Sequence, residues 1–211
     1  MYVKKGQLSI LAVNLVALAV FAVVFFVRSN YEFVIYVGVI VFFLVLIAAT
    51  NHRVYYPNAL LWALTAWAIM HMAGGAVYVN KVRLYEIILV PLSQSIPIFR
   101  YDQLVHIIGF GTATVTMFYV LMPLLRPDLQ RFWALSIILV AAGLGIGALN
   151  EIVEFITGVI VPGSGVGGYL NTSLDLAADL IGALLAMGVI RISEREFFSK
   201  KTAAGAKKVK S

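Results

Sequence analysis

Cysteine is absent from the 211-residue chain, so no disulfide framework, thiolate metal site or cysteine nucleophile is available, and nothing reports a redox compartment. Charge is scarce: 12% of residues are Asp, Glu, Lys or Arg, against 62% hydrophobic ones. A soluble domain carries roughly twice that share of charge, and a mean hydropathy of +0.95 excludes one. The apolar runs lack alternation of polar and apolar residues, which excludes the strands of a membrane barrel. The first run follows Lys4 and Lys5 as in a signal peptide, yet no small-x-small cleavage site ahead of a soluble domain follows it. It is expected to be a retained helix.

The apolar runs themselves are each close to the roughly 20 residues a helix needs to cross about 30 Å of hydrocarbon. They predict an all-α, polytopic membrane helix bundle with six transmembrane helices, at about 7–27, 33–50, 58–79, 102–125, 132–156 and 172–191. Polar breaks at Arg28 to Tyr31, Asn51 to Pro57 and Arg126-Pro127-Asp128 turn three of the connections. Residues 1–195 read as a single transmembrane domain and 196–211 as a flexible basic tail. Lys4, Lys5, Arg53, Arg126, Arg131 and the seven basic residues from Arg191 onward make twelve cations on one side, against Arg28, Lys81, Arg83 and Arg100 on the other. The positive-inside rule then puts both termini in the cytoplasm of a multi-pass protein of the cell membrane. The tail is expected to meet anionic lipid headgroups, with no nucleic-acid partner.

Five of the ten acidic residues fall within these helices or at their mouths: Asp102, Glu151, Glu154, Asp175 and Asp179, accompanied by His71 and His106. Ionisable groups in hydrocarbon cost several kcal/mol each unless paired, protonated or metal-bound. The alternating helix directions bring all seven to one level near the non-cytoplasmic face. Asp102 and His106 are spaced i,i+4, as are Asn150 and Glu154, and Asp175 and Asp179, so each pair shares a helix face. Small residues continue those faces, Gly109 and Ala113, Gly143 and Gly147, Gly182 and Ala186, and predict close helix contact. Taken singly, Asp102 at one helix start and Asn171 or Ser173 at another read as N-caps, and His71 reads as a hydrogen-bonded core histidine. Capping does not account for carboxylates one or two turns inside a span.

Two connections frame the cluster. Residues 157–170 include Pro162-Gly163-Ser164-Gly165-Val166-Gly167-Gly168, an uncharged flexible stretch able to cover a pocket or present amides to an anion. Residues 80–101 are apolar in the middle with Lys81, Arg83 and Arg100 at the ends, as expected of a segment lying in the interface, whose cations either hold a lipid phosphate or reach out to headgroups.

The series HMAGG, YDQLVHIIGFG, NEIVEF and NTSLDLAADLIGALL resembles the bacterial and archaeal membrane-protein family typified by YjdF, and is more distantly similar to VanZ-like proteins. The resemblance covers about residues 67–190. It implies a shared fold, with Asp102, His106, Glu151, Asp175, Asp179 and Gly182 at the motif positions, and the VanZ association with glycopeptide resistance implies lipid-linked chemistry at the envelope.

Carboxylates and imidazoles from neighbouring helices form the ligand set for Zn, Mn or Fe. The expected site has His71, Asp102, His106, Glu151 and Asp175 as metal ligands, and Glu154 and Asp179 as catalytic carboxylates, Glu154 being the general base. It would belong to a metal-dependent hydrolase or transferase acting on a lipid or lipid-linked substrate. Two other readings stay open: a proton- or cation-coupled transporter or channel component, and a structural subunit whose polar network locks the bundle, either with a membrane-protein partner or as a homo-oligomer.

Overall fold

The computed structural model describes residues 4–124, 132–165 and 167–208, with side chains followed as far as Ile192. The turn at Arg126-Pro127-Asp128, Arg131, Val166 and the last three residues lie outside the described residues. Six helices result: α1 Gln7–Val27, α2 Tyr31–Val54, α3 Asn58–Ala76, α4 Tyr101–Leu121, α5 Phe132–Ile160 and α6 Tyr169–Lys208, all six with spans long and apolar enough to cross a membrane. In α6 the apolar span is Tyr169–Ile192.

Local chemistry explains the differences from the expected bounds. The α2 helix begins at Tyr31 because the Asn30 side chain accepts from the Phe33 backbone N–H, 3.3 Å away, satisfying one of the donors a helix start leaves open. The α3 helix stops at Ala76, where Val77 turns extended and a two-stranded hairpin follows, Tyr78–Val79 (β1) against Val82–Arg83 (β2). Asn80 and Lys81 both take positive φ at its tip, the conformation that two-residue hairpin loops require. A single 3-10 turn, Leu84–Glu86, then leads to an extended stretch whose Ile88 pairs with Arg100.

Helices consecutive in the chain run in opposite directions. The Lys4 ammonium reaches the backbone carbonyl of Tyr55 at 2.8 Å, tying the start of α1 to the α2–α3 turn, while Arg28 donates to the Ala76 carbonyl at the opposite end. Arg191 lies over the Phe132 ring, which brings the end of the α6 span beside the start of α5. Two apolar clusters result, Phe25, Phe33, Tyr36, Ile40 and Met72 among α1–α3, and Phe118, Leu139, Met187 and Ile190 among α4–α6.

The tightest crossing is between α4 and α6. A Cβ on Gly182 would meet the Ile107 carbonyl and the Gly111 amide, so backbone lies directly on backbone there. Of the expected small-residue faces, Gly143 receives the Thr114 side chain, Gly147 receives the Asp179 carboxylate, and Gly109 receives the Trp67 indole. Each leaves room for a particular neighbour, which uniform helix contact would not require.

Candidate metal centre

His106 is the middle of the polar cluster. It lies on the second turn of α4, 4% exposed, and its Nδ1 stands 2.8 Å from Asp179 Oδ1 on α6. With that nitrogen engaged, Nε2 is left on the side of Asp102. Asp102 Oδ1 is 3.8 Å from Nε2. Asp102, His106 and Asp175 each offer one ligand atom within 4.8 Å of one another, and so do His106, Glu151 and Glu154. The two sets share one imidazole, that of His106.

The carboxylates differ in how they are held. Asp175 is fully buried; one oxygen accepts from Gln103 Nε2 at 2.5 Å and the other from Asn171 Nδ2. Asn171 donates also to Asp102 Oδ2, at 3.2 Å. Glu154 accepts from Asn150 at 2.9 Å. Neither oxygen of the buried Glu151 carboxylate has a hydrogen bond of normal geometry, although Asn150 and Thr172 are close by, and Asp179 Oδ2 has none either. Buried polar atoms without partners cost about 1–3 kcal/mol each, and more when charged, so they mark where the site is incomplete.

The N-cap roles read for α4 and α6 are corrected. Arg100 precedes α4, its backbone N–H donating to Gln103 Oε1 at 2.8 Å, so Asp102 already lies inside the first turn. The α6 helix starts at Tyr169, two residues ahead of Asn171, whose amide ties Asp102 to Asp175, and Ser173 donates to the Tyr169 carbonyl.

His71 stands apart from both sets. Its Nδ1 lies 2.6 Å from the Tyr85 hydroxyl, and its ring sits within a box of Phe33, Tyr36, Trp67 and Tyr85, with centroids 5.5–6.0 Å away. Burial, reinforced by the negative charge of Asp102 and Glu154, pushes the Tyr85 phenol well above its ordinary value. The phenol therefore stays protonated and has a proton to give to Nδ1. Gly74 and Gly75 in HMAGG accommodate the Tyr85 and Phe33 rings.

A cavity of about 220 Å³ joins these parts, lined by His71, Tyr85, Asp102, Glu154 and Asn171 together with Arg83 and Arg100. The 157–170 connection closes one side: the Gly165 N–H donates to Glu32 Oε2 at 2.7 Å, and the Arg83 guanidinium packs where a Cβ on Gly165 would be. Glu32, buried near the start of α2, also pairs with Arg83 at 3.6 Å. Sequence reasoning missed Glu32, Tyr85 and Gln103. Only Gln103 carried a signal, three residues before His106 and hence on its face.

Beneath Asp179 the packing is apolar, and the larger cavity of about 500 Å³ farther along α4 and α6 is lined by Gly111, Val115, Phe118, Gly182, Ala186 and Ile190. Thr114, Leu139 and Ala183 are each 0% exposed, and the Thr114 hydroxyl is spent on the Phe110 carbonyl. The 220 Å³ cavity, lined by the starts of α2, α4 and α6, lies at the end of the bundle opposite the Lys4–Tyr55 contact.

A family model described as "Predicted membrane protein (DUF2238)" matches residues 8–196. No curated protein and no solved structure matches the chain.

Proposed function

The chain belongs to the DUF2238 family of predicted membrane proteins, and from the cluster inside its bundle we propose that it binds one divalent cation, Zn, Mn or Fe, at His106 Nε2 and the carboxylates around it. The observation that carries this reading is the division of labour on one imidazole. Asp179 holds Nδ1 at 2.8 Å while Asp102 Oδ1 stands 3.8 Å from Nε2, and Asp175 in one set and Glu151 with Glu154 in another bring carboxylate oxygens within 4.8 Å of a His106 ring nitrogen; metal-binding histidines are commonly oriented in this way by an outer carboxylate on the far nitrogen.

Ligand atoms about 2.1 Å from one ion stand roughly 3.0–3.4 Å from one another, from octahedral to tetrahedral coordination. The 3.8 Å between His106 Nε2 and Asp102 Oδ1 would close by a few tenths of an ångström on binding. Charge supports the same reading. One imidazole cannot balance Asp102, Glu151, Glu154, Asp175 and Asp179, and a divalent ion does so with fewer protons.

In this reading Asp102, Glu151 and Asp175 would hold the ion with His106, Asp179 would position His106, and Glu154, which borders the cavity, would serve as general base, the ion supplying Lewis acidity when bound. His71, held by Tyr85, shapes the cavity wall. The activity would be hydrolysis or transfer on a lipid or lipid-linked substrate, with membrane lipids as partners, extending to this chain the resemblance to YjdF and, more distantly, to VanZ-like envelope proteins. The termini would be cytoplasmic and the site would face the outer leaflet of the cell membrane. The absence of any ionisable residue from 135–147 and 181–189 favours this over a proton or cation pathway.

Metal content per chain, measured by inductively coupled plasma mass spectrometry on detergent-purified protein, tests it. About one equivalent in the wild type, lost in His106→Ala, is the expected result. Protein that contains no metal at neutral pH and takes up none on titration would exclude it.

A further inference from the structure

Resting on the metal reading above, we propose that the cavity beside the metal set holds a phosphoryl group, with Arg83 and Arg100 as its basic partners. The two arginines reach this cavity from opposite ends of the α3–α4 connection, and Nε of each is buried without a hydrogen bond. Arg83 is only loosely engaged. It stands 3.6 Å from both Glu32 and Glu86, beyond the roughly 2.7–2.9 Å of a closed charge-assisted bond. One Glu32 oxygen is already taken by the Gly165 N–H. A planar guanidinium left in that state matches the forked geometry of a phosphate oxygen pair.

The cavity wall also carries Glu32, Glu86, Asp102 and Glu154. A phosphate alone would be repelled by four carboxylates, so the divalent ion is what makes this pocket anion-binding, and Asp102 and Glu154 belong to the two ligand sets as well as to the wall. At about 220 Å³ the space is smaller than the roughly 300–1,000 Å³ of pockets that enclose whole ligands, which fits a headgroup whose tail remains outside. The adjoining segment supplies somewhere for that tail. Ile88, Leu89, Val90 and Leu92 are 47, 40, 45 and 64% exposed, an apolar strip suited to lie in the membrane interface.

The test uses full-length protein with its metal content measured, reconstituted in phosphatidylcholine nanodiscs with or without phosphatidate, and compares wild type, Arg83→Gln and Arg100→Gln. Inorganic phosphate, added separately, distinguishes a free anion from a lipid headgroup. The expected result is phosphatidate binding to metal-loaded wild type over the phosphatidylcholine background. It should weaken about tenfold or more in either variant, the scale of one lost charge-assisted contact, with metal content unchanged. Binding of inorganic phosphate with phosphatidate excluded would keep the phosphoryl site and assign its source to the free anion. Metal-loaded wild type that binds neither probe, or variants that bind both as wild type does, would overturn this inference alone. Wild type without metal would overturn the metal reading and this inference with it. If Arg100→Gln fails to fold, Arg83→Gln and the wild-type titration still decide.

Discussion

Replacing Asp179 with Asn should weaken divalent-metal binding about tenfold and leave the bundle folded. Asp179 is fully buried, and its Oδ1 accepts from His106 Nδ1 at 2.8 Å. A hydrogen bond to a charged group contributes about 1.5–3 kcal/mol and a neutral one about 0.5–1.5, so exchanging carboxylate for amide removes about 1–1.5 kcal/mol from the preference for the tautomer that leaves Nε2 free. Each 1.4 kcal/mol is tenfold in affinity, and the 10–100-fold loss usual for an outer-shell partner brackets the estimate. Asp179→Ala should go further, since it leaves Nδ1 without an acceptor. Competition with a chromophoric chelator at neutral pH would read the affinity, with circular dichroism and a thermal melt as controls for folding. If both variants bind metal within twofold of wild type while His106→Ala abolishes binding, the imidazole is not oriented by Asp179 and the reasoning is refuted.

At the α4–α6 crossing, Gly182→Ala drives a Cβ into the Ile107 carbonyl and should cost about 1–3 kcal/mol of stability; Gly145→Ala, with nothing within 4 Å, is the matched control in a thermal-shift assay. Tyr85→Phe removes the hydrogen bond to His71 and should cost about 1 kcal/mol without loss of bound metal. Because the Tyr85 phenol is raised in the folded state, its contribution is complete below the ordinary tyrosine value of about 10 and is lost as pH rises above that; the wild type should therefore lose stability above pH 10 faster than Tyr85→Phe. The absence of cysteine makes orientation directly testable: a membrane-impermeant maleimide should label Gln94→Cys on intact cells, and His52→Cys only after permeabilisation. The reverse pattern would overturn the proposed orientation.

The helices and the convergence of the acidic groups were legible because a bilayer makes both conspicuous. Twenty apolar residues in a row announce a span, and an Asp or Glu inside one is rare enough to point inward. Spacing of four then put Asp102 with His106, and Asp175 with Asp179, on common faces, and in the structure His106 approaches both Asp102 and Asp179. Periodicity could not say which atoms meet. That Asp179 takes Nδ1 while Asp175 is held by Gln103 and Asn171 follows from how closely α4 and α6 approach at Gly111 and Gly182, a tertiary distance with no local signature. The α3–α4 connection was opaque for a different reason. Tyr85 reaches His71 only because the hairpin tip at Asn80 and Lys81 folds the chain back over the bundle, and a segment of mixed apolar and basic residues reads equally well as one lying flat in the interface. Glu32 was missed because a lone acid at a helix start is ordinary beside the N-terminal dipole. Its role came into view once Gly165 and Arg83, distant in sequence, were seen to meet it, so the cavity depends on contacts between loops that a single sequence does not pair.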